Sequence, residues 1–303
     1  MSSPSSVPAR PGPGRHARFL CSRFGKRLTQ EQNPGRMARM HMSALLMVAL
    51  LAAPAQPLTW KVTGADVTFE MSAKDLRALR DGKEVFGLQS RQADFLSNFK
   101  AEEGTNTFGW EGSQSLKVLS VVGPWVSYEN SDSGFTGGAH PYASTSYVTE
   151  DVTKPKGAFS LLSVFPEKDV VAALKADRFI RKHIHDEAAF KDARTVDALM
   201  QSLEPGEDCV GFDSGGLESV KRSVAFHHIE GNKVAVRISF GYAAEACRGR
   251  SFVVGVLLTI SAELRPALKR AARREEGFLM KDAKAVKAPS VHFTWESPEP
   301  KQE

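Results

Sequence analysis

The chain has 303 residues, 42% of them hydrophobic, and a formal net charge of +5. That length allows one or two domains, and the apolar fraction is enough for a sizeable core. The positive charge sits at one end: residues 1–55 hold eight Lys and Arg and a single acid, Glu31, so residues 56–303 carry about −2, which excludes nucleic-acid binding driven by net charge.

Residues 1–36 are rich in Ser, Pro, Gly and Arg and read as a leader upstream of the true start, which we place at Met37, Met40 or Met42. Residues 37–55 read as a signal peptide. Arg36 and Arg39 flank its positive end, Ser43 to Ala53 is an uncharged apolar run of 11 residues, and Ala53-Pro54-Ala55 fits a small-residue cleavage site. A run of that length falls short of the roughly 20 residues that span a bilayer. The mature chain is therefore expected in the periplasm or outside the cell, starting at Gln56, with no transmembrane span. Cys21 lies in the leader, and no cysteine stands at the cleavage point for lipid attachment. The mature chain keeps Cys209 and Cys247. In an oxidising compartment two cysteines predict one disulfide, the alternative being two buried thiols.

Along the mature chain, Trp60 to Met71 alternates as a half-buried strand does. Ser72 to Arg80 reads as a short helix or turn capped by Ser72. Ser115 to Val122 and Trp125 to Glu129 are strand-like around a Gly123-Pro124 turn, and Ala143 to Val152 is rich in β-branched and aromatic residues. Pro166 to Glu187 predicts a helix, with Pro166 in its first turn and Val170, Ala173, Ala176, Ile180 and Ile184 on one face. Thr195 to Leu203 predicts a second. Ser223 to His228, Lys233 to Tyr242 and Ser251 to Ser261 read as three closing strands, with Gly231-Asn232 turning between the first two. Ala262 to Glu276 is helix-compatible and basic on one side. Residues 296–303 read as a disordered tail. The fold class is α+β: a mainly antiparallel sheet packed against a central helix pair, in one domain over 56–295.

The most distinctive run is Gly134-Phe135-Thr136-Gly137-Gly138-Ala139-His140-Pro141-Tyr142. Its glycines permit close backbone approach, and Pro141 holds His140 extended. An imidazole so placed suits a partner, a metal or a proton; the competing reading is a strand entry in which His140 bonds nearby backbone. Other motifs carry less. Asp213-Ser214-Gly215-Gly216 echoes the loop of a trypsin-like serine nucleophile, but Phe212 and Leu217 stand where that motif needs Gly and Pro. His183 and His185 are spaced to diverge on a helix. His228 and Glu230 share a strand face, too few ligands for a structural metal. Arg265, Lys269, Arg270, Arg273 and Arg274 form a basic patch that reads as a solvated face, or as a contact for anionic envelope polymers or lipid headgroups. We assign no catalytic residue, no metal ligand and no cofactor.

The run GGAHPY, the strand after it, the turn Lys154-Pro155-Lys156-Gly157 and the step Phe159 to Phe165 leading into a helix resemble the extracytoplasmic domain of RsiV-type anti-sigma factors, which also accompanies the catalytic module of PdaC-type peptidoglycan deacetylases. Val234 to Tyr242 with Gly249, and Leu264 to Leu268, resemble later parts of that domain, so the match spans about residues 115–270. The chain departs from the family in offering neither a sigma-binding segment with a membrane helix nor a deacetylase module. The resemblance implies an exported, non-catalytic envelope module that recognises a protein such as lysozyme, or a cell-wall polymer, through Gly137, Gly138, His140 and Tyr142. Two alternatives stand beside it: a cell-wall hydrolase or deacetylase using His140 or His228, and a lysozyme-inhibitor-like protein.

Overall fold

Alternation at the start of the described chain builds a meander, not the single strand expected over Trp60 to Met71. The computed structural model describes residues 57–212 and 215–298; the leader, the signal peptide and most of the expected tail lie outside them. β1 (Leu58–Lys61) and β2 (Thr68–Met71) pair antiparallel across a turn at Gly64, whose φ of 84° is left-handed and suits glycine. Val62 and Val67 close that turn through a backbone hydrogen bond of 2.9 Å. Ser72 does bond like a helix cap, accepting from the N–H groups of Lys74 and Asp75, but the chain then extends as β3 (Leu76–Arg80). Leu76 and Ala78 alternate into the core there, and alternation prevails over the cap. Asp81 and Gly82, both left-handed, turn β3 tightly into β4 (Lys83–Gly87), completing a four-stranded sheet in the order β1-β2-β3-β4.

A short helix, α1 (Gln92–Ser97), leads to three long strands: β5 (Glu111–Val122), β6 (Trp125–Phe135) and β7 (Tyr142–Asp151). The Gly123-Pro124 turn falls where expected. The first and second sheets enclose one core, built on Phe69, Leu76, Phe86, Leu116, Val121, Val126 and Tyr128.

After β7 the expected long helix is broken. α2 (Glu167–Ala176) stops at Asp177, whose backbone is extended and whose carboxylate accepts from the N–H groups of Phe179 and Ile180. In place of a central helix pair the segment carries α2, α3 (Glu187–Asp192), α4 (Val196–Gln201, capped by Thr195) and α5 (Gly216–Arg222). The buried residues of α2 are Val170, Val171 and Leu174. β8 (Val224–Glu230), β9 (Lys233–Phe240) and β10 (Phe252–Thr259) then form a third antiparallel sheet in the order β10-β9-β8. With α6 (Leu264–Ala272) they enclose the larger core, which includes Leu174, Leu199, Phe212, Phe226, Val236, Phe240 and Leu268.

The last strands return to the second sheet. β11 (Gly277–Phe278) and β12 (Ser290–Glu296) both pair with β5. Glu296 therefore lies in a strand rather than a tail, and Ser297 still donates to the carbonyl of Trp110. The second and third sheets meet over buried hydroxyls. Ser127 and Thr149 lie 2.9 Å apart, Thr149 Oγ1 donates to the Val224 carbonyl, and the Phe226 N–H donates to Ser120 Oγ at 3.3 Å. These polar groups are paired, so their burial is tolerated. The architecture is thus mixed α and β in one domain, with antiparallel sheets and few helices.

Candidate functional site

β6 and β7 run together until Gly134 pairs with Tyr142, and Thr136 to Pro141 project beyond them as an exposed tip. Two glycines shape it. Gly137 has φ 83°, and a Cβ there would stand 2.8 Å from Trp110 Nε1, so the indole edge packs directly on its backbone. At Gly134 a Cβ would meet the Glu111 carbonyl and fall 2.7 Å from the Tyr142 hydroxyl, so the phenol lies across bare backbone. Gly138 has open space around it. Burial, then the Asp132 carboxylate, raise the Tyr142 phenol above its ordinary value. It stays protonated at neutral pH, so its hydroxyl keeps a proton that it can donate. His140 is exposed and, among the described residues, makes no side-chain hydrogen bond or ion pair.

Two further loops converge on this tip. Gly249, in the β9–β10 loop, donates its N–H to the Ala143 carbonyl at 3.2 Å, one residue past Tyr142. The same loop pairs with the segment before α5: Gly211 N–H bonds to the Gly241 carbonyl at 2.9 Å, and Ala243 N–H to the Cys209 carbonyl at 2.8 Å. Cys209 and Cys247 are joined, with Cα atoms 6.2 Å apart, inside the roughly 4.4–6.8 Å that a disulfide spans. Hairpin tip, disulfide and the Tyr242–Gly249 segment therefore share one end of the domain. Comparison with family models, with curated proteins and with solved structures returned no match.

The remaining candidates are separated. Asp213 and Ser214 lie outside the described residues. His183 is buried between Phe179 and Phe212 and faces Asp208 at 3.3 Å, while exposed His185 faces Glu204 at 3.1 Å, so the two rings do not converge. Three residues of the basic patch in and just after α6 are engaged: Arg270 with Glu276 at 2.9 Å, Arg273 with Glu275 at 2.6 Å, and Arg265 with the Ile260 carbonyl. A cleft of about 750 Å³ between β4 and the β7 end contains Glu150. That carboxylate accepts from Tyr128 of β6 at 2.5 Å and from Arg91, just before α1, at 2.6 Å, so both its oxygens are already engaged. Neither His140 nor His228 lines the cleft.

A β-bulge at His227 turns two successive imidazoles toward each other, with Nδ1 atoms 2.8 Å apart, and leaves His228 Nε2 3.9 Å from Glu230. At that distance one ring donates and the other accepts. Burial, Arg237, His228 and Lys281 all lower the His227 pKa. The unfolded chain thus takes up the proton first as pH falls through the ordinary value of 6.5. Stability present above that pH is expected to decline below it, and His227→Asn to flatten this part of a denaturant-midpoint profile. An unaltered profile in the variant would remove His227 from the account. No group of three or more metal-binding side chains gathers among the described residues.

Sequence reasoning singled out Gly137, His140 and Tyr142, named Gly249 only within a later resembling segment without placing it at the tip, and missed Trp110. Trp110 follows Gly109, a turn signal before a strand. Nothing local to residue 249 points to Ala143.

Proposed function

We propose that this chain is an exported binding module of the cell envelope, and that its recognition surface is the end where the 136–141 tip, the 241–251 loop and the disulfide meet. The observation that carries this is the seating of Gly249 on Ala143, two residues from a disulfide-bonded cysteine. It braces an otherwise projecting loop, and rigid presentation lowers the ordering cost of binding. The likeness of the GGAHPY run and the Tyr242–Gly249 segment to the RsiV-type domain supports the same reading, since two segments distant in sequence meet here. The exposed and unengaged His140 supports recognition, in which side chains stay available to a partner. Among the described residues no helix is long and apolar enough to cross a membrane.

The test uses the oxidised, processed protein with two probes, lysozyme and purified peptidoglycan sacculi. The double variant His140→Ala, Tyr142→Phe is expected to weaken binding of one probe by about tenfold or more, the scale of losing one well-placed polar anchor. Its thermal midpoint should be unchanged. Equal binding by wild type and variant would sink the loop assignment. Turnover of peptidoglycan lost in His140→Ala would replace binding by catalysis.

A further inference from the structure

β10 is the outermost strand of the third sheet. It pairs with β9 in unbroken register from Phe252 opposite Phe240 to Thr259 opposite Lys233. Among the described residues its other edge has no backbone partner. Natural edges are blunted by charge, proline, bulges or shortness. The eight-residue run FVVGVLLT has none of these. An unprotected apolar edge of this length either aggregates or is reserved for a partner strand.

The solvent face of β10 indicates which partner. Val253 and Leu257 are 44% and 38% exposed, with Gly255 between them. Arg237 stands opposite Gly255 on β9 and lays its guanidinium across it: a Cβ on Gly255 would come 2.5 Å from an Arg237 terminal nitrogen. Gly255 has no left-handed backbone, so its use here is to admit the guanidinium. Arg237 is half-buried, and among the described residues it makes no ion pair and no side-chain hydrogen bond. The charge acting on His227 beside it is also positive, from Lys281. Arg237 and Glu129 both act on the Tyr147 phenol, with opposite sign, but among the described residues no carboxylate bonds the guanidinium directly, so an incoming anion can pair with it. Along the strand a groove of about 640 Å³ opens toward α2, lined there by the small Ala172, Ala173 and Ala176 and also by Asp169 and Asp177, so the acidic position of an occupant belongs over Gly255 and not against α2.

A second copy of this chain fits poorly. Antiparallel self-pairing about Gly255 would set two Arg237 guanidiniums against each other, and like charges directly opposite are destabilising. We infer that β10 receives an extended segment of a partner protein by strand addition, with an acidic residue over Gly255 bonded to Arg237 and apolar residues two positions to either side, against Val253 and Leu257. Main-chain hydrogen bonds would supply affinity, and the apolar–acidic–apolar alternation the specificity. This surface is separate from the loop end and does not depend on the reading given to it.

The probe is a capped, labelled peptide of sequence Lys-Thr-Val-Thr-Glu-Thr-Val-Thr-Lys, with a twin carrying Lys at the centre. With the full oxidised protein, the glutamate peptide is expected to slow hydrogen exchange in β10 and to bind at least about tenfold tighter than its twin, as a charge-assisted pair predicts. Arg237→Glu should reverse that preference. Val253→Lys, at an exposed position, should block both peptides while leaving the melting curve intact. The inference is overturned if exchange in β10 is unaffected by the peptide, or if the two peptides bind alike. It is also overturned if sedimentation shows a concentration-dependent dimer that Val253→Lys abolishes, which would give the edge to a second copy.

Discussion

Opening the Cys209–Cys247 disulfide is expected to lower the unfolding free energy by about 4 kcal/mol, the chain-entropy value for a loop of this size. The two cysteines are 38 positions apart, and the loop they close contains α5, β8 and β9. Reduction frees that whole segment in the unfolded ensemble. Small domains hold only about 5–15 kcal/mol in total, so the loss is a large share of the margin. The measurement is urea unfolding of wild type with and without reductant, beside the double variant Cys209→Ser, Cys247→Ser. The midpoint should fall and the denaturant slope stay level or rise, since an uncrosslinked chain expands further. Hydrogen exchange should quicken first in 241–251 and then at Ala143, where Gly249 rests. Identical midpoints, or two titratable thiols in the unreduced protein, would refute the assignment.

Phe226→Ala is expected to cost about 3–5 kcal/mol. The ring is fully buried and stacks on Trp125 at 5.8 Å, where the second and third sheets meet. Its N–H bonds to Ser120 Oγ, so the backbone is held and cannot close the space the ring leaves. Phe108, 65% exposed, is the control: Phe108→Ala should shift stability by less than about 0.5 kcal/mol. A similar, small effect for both variants would mean that the junction of the sheets is not packed as described.

Where local pattern and turn chemistry agree, the fold was legible in the sequence. β5 to β7 and β8 to β10 follow from alternating apolar residues bounded by Gly123-Pro124 and Gly231-Asn232. Where two local signals compete, the pattern alone misleads. Alternation runs straight through Val62 to Val67, hiding the turn at Gly64. Ser72 caps a turn as convincingly as it would a helix, and the signal that decides is Asp81-Gly82, which closes β3 onto β4. Helical spacing continues past Asp177, but its carboxylate captures the next two N–H groups and ends α2. β12 alternates too, yet its partner strand lies far back in the chain, and no local feature marks that register. The candidate site divides the same way. Gly137 and His140 stand out by composition, whereas Trp110 and Gly249 reach the tip only through the fold.

The pairing of β12 with β5 sets an order of events during synthesis. Glu111 pairs with Glu296, and Phe95 of α1 and Phe99 just after it pack against Phe293 and Trp295. Until the last strand has left the ribosome, β5 keeps an open edge and these aromatic rings have no cover. Pairings so distant close late and slowly. A chain of this design therefore keeps that edge and those rings uncovered until β12 has been made, long after β5 itself, and whatever shields them in the interval decides whether the second sheet closes on its own strand.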